Sequence, residues 1–177
     1  ADHGELFGEH GRHGHGRTLF QEEIHVPLLV KYPAMEIAPG RTDTPVQLND
    51  IMAMIVTRLG LSLPDGIQAG VPPKIGHPVL AEAYPLEVLS RDGNWRAFFD
   101  GDFKFSWNSQ GNSLLVNVKD DPREAKNLMA LYPDRAKKML SDLNLYLAQL
   151  PAPGPSAAAA EVDKNTINAL KGLGYVE

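Results

Sequence analysis

Histidine and carboxylate side chains crowd the first 25 residues of the chain. Five of the six histidines lie there, together with Asp2, Glu5, Glu9 and the pair of glutamates at 22–23. Imidazole and carboxylate groups bind divalent metal ions, and the adjacent Asp2 and His3 could supply two ligands from a single turn. A hydrolase uses such an ion to hold an anionic substrate and to stabilise charge around the reacting centre. By composition alone, the segment is equally consistent with a surface loop that binds metal adventitiously.

The other histidines differ in what their positions predict. His13 and His15, further along the same loop, could bind the anionic oxygens of a substrate or protonate a leaving group. His25 falls in a predicted strand and His77 in a predicted loop. For these two we expect structural or solvent-exposed roles rather than catalysis.

The elements of the first half predict α/β structure. Glycines at 4, 8, 11, 14 and 16 cost backbone entropy in regular structure, and they predict a long loop over residues 1–18. The short apolar run IHVPLLVKY at 24–32 predicts a strand buried on both faces. Helical spacing of apolar residues predicts a helix over 46–61, and residues 79–84 predict a further short strand.

The second half has a different pattern. Apolar and polar residues alternate over 95–107 and 113–118, around turn sequences at 100–101 and 110–112, which predicts antiparallel strands. An amphipathic pattern then predicts a helix over 133–150.

Three regions follow from this interpretation. An α/β part occupies residues 1–84, and a small α+β part occupies residues 85–150. The composition PAPGPSAAAA predicts a linker over 151–160, and a short helix over 163–173 completes the third region, 151–177.

Charge and cysteine content narrow the function classes. The chain has 17 Lys and Arg against 22 Asp and Glu, a formal net charge of -5. A mildly acidic chain has no general attraction for nucleic acid or for anionic membranes, so neither is expected as a partner. The absence of cysteine excludes disulfides and thiolate metal sites. No apolar run approaches the roughly 20 residues that span a bilayer.

Four motifs follow one another in the first 30 residues: DHGE at 2–5, GEHG at 8–11, GHGR at 14–17 and EEIHVPLLV at 22–30. Their order resembles the sulfatase family of the alkaline-phosphatase superfamily. In that family an Asp-His or Asp-Asn pair follows a core strand and binds the active-site cation. A glycine-rich loop then carries a Lys or His towards the sulfate, and a strand containing "VPL" returns to the sheet.

The second half continues the resemblance. Residues 102–105 (DFKF) are similar to the family's "xxKY" strand, and DPREAKNL at 121–128 matches its "DPxExxNL" turn. The stretch LKGLGY at 170–175 is similar to the "LxxLGY" near many sulfatase carboxyl ends. For the turn at 121–128 we expect a structural role, in which Asn127 bonds back to local backbone.

The resemblance implies a fold and a set of site residues. The fold is α/β: the end part of an alkaline-phosphatase-like sheet domain, followed by a small α+β subdomain with antiparallel strands and a packed helix. Asp2 and His3 correspond to the metal pair, and His15 to the catalytic, substrate-facing Lys or His. His13 is a neighbouring candidate for the substrate, and Arg17 could be a substrate-binding cation. His10 is expected to be structural.

The resemblance also implies what the site binds. Calcium is the expected cation, with magnesium, manganese or zinc as alternatives, because one imidazole tilts an oxygen-rich site towards the last two. The expected partner is a sulfate ester, either a small molecule or a glycan. A periplasmic or secreted location is expected from the family.

The family's nucleophile does not appear in this chain. Sulfatases use a formylglycine made from Cys or Ser in C/S-x-P-x-R, and the nearest match, Ser62 to Gly66, lacks the Arg. The chain opens without Met inside a motif, so we expect it to be part of a longer protein and inactive alone. The unpaired strand predicted at 26–30 would favour self-association or association with a missing amino-terminal part.

Two alternatives remain open at this point. The same Asp-His pair occurs in phosphate-cleaving relatives, so a phosphodiester or phosphonate hydrolase of the superfamily would fit. A non-catalytic metal-binding module is the second alternative.

Overall fold

The computed structural model describes residues 1–72, 77–84, 92–150 and 164–172. A small hairpin and a short helix come first, a longer helix follows, and a four-stranded sheet with its covering helix forms the second half. The elements in chain order are β1 (Leu6–Phe7), β2 (His13–Gly14), α1 (Gln21–Ile24), α2 (Leu48–Arg58), β3 (Leu80–Ala83), β4 (Trp95–Asp100), β5 (Phe103–Asn108), β6 (Leu114–Asn117), α3 (Pro133–Gln149) and α4 (Lys164–Gly172). Among the described helices, none has the length and apolar content needed to cross a bilayer.

The sheet is a simple antiparallel meander in the order β3-β4-β5-β6. Asp100 pairs with Phe103, so β4 and β5 are joined by a tight turn, and Gly101 supplies the positive φ of 58° that such a turn requires. The strands and the turns predicted from alternation in the second half are therefore confirmed.

One face of the sheet packs against α3. Phe98, Phe105 and Leu115 lie side by side across strands β4, β5 and β6, and Met139 and Leu143 of α3 cover them. Burying side chains of this size contributes about 1.5–3 kcal/mol each. The helix predicted over 133–150 is confirmed, and its apolar stripe supplies this half of the core.

The opposite face carries the amino-terminal segment. Leu19 packs with Ala83, Trp95 and Ala97 in a second buried cluster, and Ile24 borders it. The sheet therefore lies between α3 on one side and the histidine-rich segment on the other. It is this second face that positions the candidate site.

Helix α2 confirms the helix predicted over 46–61. A capping box forms at its start, in which Gln47 and Asp50 each bond the other's backbone N–H. Several of its apolar side chains remain exposed.

Two sequence predictions in the first half are wrong. Residues 24–32 do not form a buried strand: α1 ends at Ile24, and the chain beyond it lacks strand pairing, with Leu29 88% exposed. A strand forms only where its backbone can hydrogen-bond to a neighbouring strand, and the described residues supply no pairing partner there. The loop predicted over 1–18 contains the β1–β2 hairpin, whose two-residue strands are too short to show an alternating pattern.

The strand at 79–84 is confirmed as β3, and it pairs with β4 in the second-half sheet. The predicted division at residue 84 therefore falls between two paired strands. The helix predicted over 163–173 is confirmed as α4. The predicted linker at 151–160 lies outside the described residues, as does the end of the LKGLGY motif.

Candidate functional site

The β1–β2 hairpin brings Glu5 and His15 together. Leu6 pairs with Gly14, so the residues just outside that pair, Glu5 and His15, lie opposite each other. The Nδ1 atom of His15 lies 2.8 Å from Oε2 of Glu5. A carboxylate oxygen accepts, so Nδ1 donates and the carboxylate fixes the orientation of the ring.

His3 lies directly against His15. The two imidazole rings stack with their centroids 4.0 Å apart and an angle of 23° between their planes. Nδ1 of His3 lies 2.9 Å from the Gly4 carbonyl oxygen and therefore donates to it. In a neutral His3 this leaves the lone pair on Nε2, the atom that lies 3.9 Å from Oδ2 of Asp2.

Asp2 is the most exposed member of the group. Its side chain is 81% exposed. A hydrogen bond from its own backbone amide, and then the nearby His3, lower the pKa of this carboxyl. Asp2 therefore presents an ionised carboxylate at the edge of the cluster at neutral pH.

Gly4 joins this cluster to α1 by close backbone approach. Its amide donates to the Glu23 carbonyl oxygen at 2.7 Å. A Cβ at this position would lie 1.9 Å from the carbonyl oxygen of Glu22. The glycine after His3 is therefore required by space, a different reason from the loop flexibility inferred from sequence.

Glu23 holds the far end of the loop. It is buried, and its carboxylate accepts hydrogen bonds from the Gly16 amide at 2.8 Å and from the Thr18 hydroxyl. Glu22 instead faces His10, whose Nε2 lies 3.3 Å from its carboxylate. His10 also stacks on Phe20 with ring centroids 3.6 Å apart, as a structural residue would.

The other sequence candidates lie outside this cluster. His13 is exposed, and its ring lies beside Gly8. Arg17 is half-buried at the end of the loop. His25 is exposed in irregular chain after α1, and His77 is half-buried with its ring against Asp50.

The donor set fits a divalent cation. His3, Glu5 and His15 each offer one ligand atom, and those atoms lie within 4.8 Å of one another. Two imidazoles with carboxylates suit manganese or zinc, whereas the Asp2 carboxylate adds the oxygen that calcium prefers. Sequence reasoning did not place Glu5 in the cluster. In an extended chain, residues two apart share a face, and that period could have paired Glu5 with His3.

The two tryptophans of the chain do not form a sugar platform at the cluster. Trp95 is 5% exposed and belongs to the core beneath the loop, and Trp107 packs against the α3 side. Both tryptophans therefore pack in the core on the two faces of the sheet.

Comparison with known proteins gives two curated relatives. The chain is 26% identical over 163 residues to an ulvan-active sulfatase of Formosa agariphila, covering 85% of this chain and 32% of that protein. It is also 26% identical over 162 residues to the uncharacterized sulfatase YidJ of Escherichia coli, covering 86% of this chain and 32% of that protein. The chain thus spans about a third of the length of the curated relatives it matches.

A solved structure agrees with the fold. BT4656, in complex with its substrate D-glucosamine-2-N,6-O-disulfate, matches with a TM-score of 0.69 at 21% identity, over 83% of this chain and 33% of its own. The α/β fold class predicted from the sequence is therefore confirmed. No family model matches the chain.

Proposed function

We propose that this chain, a relative of the sulfatases, forms the part of a sulfate-ester hydrolase that holds a divalent cation and the anionic end of the substrate. The observation that supports this most directly is the clustering of His3, Glu5 and His15, with Asp2 at its edge. The same four residues lie in the segment whose motifs resemble the family. The sulfatase relatives support the reaction class.

Each residue has a role in this proposal. Asp2 and Nε2 of His3 would hold the cation, and Glu5 orients His15 through the 2.8 Å contact to Nδ1. Because Nδ1 already donates to Glu5, His15 acts in the form that is protonated on both ring nitrogens. Its Nε2–H then donates to an anionic oxygen of the ester, or gives its proton to the departing alcohol oxygen and leaves a neutral imidazole. When bound, a cation here would neutralise charge on the sulfate group and stabilise it in the transition state.

The nucleophile would come from outside this chain. Neither Cys nor a Ser-x-Pro-x-Arg sequence occurs among its 177 residues. A formylglycine supplied by a further segment would complete the site, and the chain alone would not turn over. The substrate class is a sulfated saccharide, in keeping with the ulvan-active relative and with the disulfated glucosamine bound by BT4656.

Titration of the 177-residue chain tests the proposal. We expect calcium, manganese or zinc to bind weakly at one site, and glucosamine 6-sulfate to bind more tightly once the ion is present. Asp2→Asn and His3→Gln should abolish ion binding, and His15→Gln should weaken binding of the sulfate ester. The exposed His25→Gln, outside the cluster, is the matched control.

Three results would contradict the proposal. The first is ion binding that survives both Asp2→Asn and His3→Gln. The second is tight ion binding with no effect on sulfate-ester affinity, which would favour the metal-binding module. The third is a preference for a phosphonate monoester over the sulfate ester, which would favour the phosphonate hydrolase. Robust turnover of an aryl sulfate by the chain alone would refute the need for an external nucleophile.

A further inference from the structure

Lys104 and Glu124 form a fully buried ion pair beneath the amino-terminal segment. Nζ of Lys104 lies 2.7 Å from Oε1 of Glu124, and the two side chains are 0% and 1% exposed. Lys104 sits on β5, on the face of the sheet opposite α3, and Glu124 lies in the DPREAKNL turn. The pair therefore joins two of the motifs that the sequence resemblance singled out separately.

Both charged groups also bond to the backbone just before and within α1. Nζ of Lys104 donates to the carbonyl oxygen of Leu19. The amide of Gln21 donates to Oε2 of Glu124 at 2.6 Å. These two backbone atoms flank Phe20, so the pair fixes the point at which the histidine loop ends and α1 begins.

From that point, short contacts lead to the candidate site. Glu23, two residues beyond Gln21, accepts the Gly16 amide next to His15, at 2.8 Å. Its backbone carbonyl accepts the Gly4 amide, next to His3, at 2.7 Å. The orientation of α1 therefore sets the positions of both histidine-bearing stretches.

The arrangement is costly for a purely structural contact. Burial lowers the pKa of Lys104, although Glu124 and more distantly Glu22 and Glu23 act in the opposite direction. Glu124 also adopts a φ of 50°, a left-handed conformation that costs energy in a residue with a side chain. Apolar residues would fill the same space without the cost of burying charge, but they could not bond the backbone at 19 and 21.

We propose that Lys104 and Glu124 are positioning residues of the site: they anchor α1 so that Glu23 holds His3 and His15 in register. This rests on the proposed function, because it concerns the same site. Neither residue touches the cluster, so their effect reaches it through the backbone of residues 19–23.

Two variants of the intact chain test the proposal, because they remove the anchor in different ways. Lys104→Met combined with Glu124→Met removes both backbone contacts and leaves no unpaired buried charge. Gln21→Pro removes only the amide that donates to Glu124. Proline is well tolerated there, because Gln21 is the first residue of α1 and Phe20 before it is extended, with φ -67° and ψ 156°. Lys138→Met with Asp142→Asn, an exposed pair on α3, is the control.

The readouts compare the loop with a remote part of the sheet. We expect hydrogen exchange at the Gly16 amide to become at least about tenfold faster relative to the Ser109 amide, which bonds to the Asn94 carbonyl oxygen. The hydrogen bond to Glu5 sets the nitrogen chemical shift of His15 Nδ1. We also expect this chemical shift to move to the value of an imidazole without that hydrogen bond. Gln21→Pro should give the same changes with smaller amplitude, and the control pair should give neither.

A merely structural role would give a different result. It would lower stability throughout, so Gly16 and Ser109 would accelerate together and the His15 signal would not move in the folded protein. That result, or wild-type values in a folded Gln21→Pro chain, would overturn the proposal. If the double variant fails to fold, Gln21→Pro decides alone. These measurements need neither cation nor sulfate ester, so failure of the proposed function would be seen separately in the titrations.

Discussion

Gly4 shows how a single residue can be fixed by contact rather than by backbone angle. Its Cα faces the backbone of α1 so closely that a methyl group would fall 1.9 Å from the Glu22 carbonyl oxygen. No flexible side chain is available to yield, because the obstructing atoms are backbone. The two stretches can separate only by breaking the Gly4–Glu23 hydrogen bond.

Gly4→Ala should therefore destabilise the chain and displace His3. We expect a loss of about 1–3 kcal/mol, the usual range for overpacking a well-packed position. Chemical unfolding would measure the loss. Gly40→Ala is the matched control, because an added methyl group there meets its nearest atom at an ordinary 3.9 Å. Equal stabilities of the two variants would contradict this account of Gly4.

His77 contributes to stability through its charge, because its ring contacts a buried carboxylate. Its Nε2 lies 2.7 Å from Oδ1 of the fully buried Asp50, which also accepts the Gly70 amide at 2.7 Å. Its ring further contacts Gln47 at 3.0 Å and the Pro78 carbonyl oxygen at 2.9 Å. Burial by itself would lower the pKa of His77, but the bonds to Pro78 and Asp50 outweigh it and raise the pKa above 6.5.

Stability should therefore fall as pH rises through the pKa of folded His77. A raised folded pKa means that the protonated form binds more strongly in the folded state. Its stabilisation is then complete below about pH 6.5, the unfolded value, and is lost above the folded value. Urea unfolding from mildly acidic to mildly alkaline pH would show this. His77→Gln should remove that part of the slope, and parallel curves for both proteins would refute the assignment.

At the scale of elements, the sequence predicts those whose signals are local. The β4–β5 hairpin is indicated by alternating residues around a turn sequence, and α3 by an apolar stripe at helical spacing. The structure confirms both elements. The apolar run at 24–32 predicted a strand that does not form. Such a run does not show whether other strands lie beside it to pair with. The β1–β2 hairpin has strands of only two residues each, which are too short to show an alternating pattern in the sequence.

The candidate site is predictable only in part for the same reason. Asp2, His3 and His15 follow from motif resemblance, and the structure brings them together. The hairpin register sets Glu5 opposite His15, a pairing that the sequence does not show, although the spacing of two residues could have placed Glu5 beside His3. The contact between Lys104 and Glu124 could not be predicted from the sequence. It depends on how the turn at 121–128 folds back onto the face of the sheet opposite α3.

At the scale of the whole molecule, a stripe on α2 lacks a covering layer among the described residues. Leu48, Met52, Ile55 and Leu59 follow helical spacing on one face and are 41–68% exposed. Leu28, Leu29 and Val30 add further exposed apolar surface. Contiguous patches of this kind mark contact surfaces or aggregation sites. Self-association, first expected from an unpaired strand at 26–30, is therefore better argued from this helix.

We predict that the chain self-associates through α2 in a concentration-dependent manner. Ile55→Lys with Leu59→Glu keeps the net charge and interrupts the stripe, so sedimentation should show a smaller species. Leu145→Gln, at an exposed apolar residue of α3 outside the stripe, should behave like the wild type. Because neither Ile55 nor Leu59 is buried, unfolding of the monomeric species should change little. A wild-type chain that sediments as a monomer at every concentration would contradict the prediction and show that the stripe is not a contact surface.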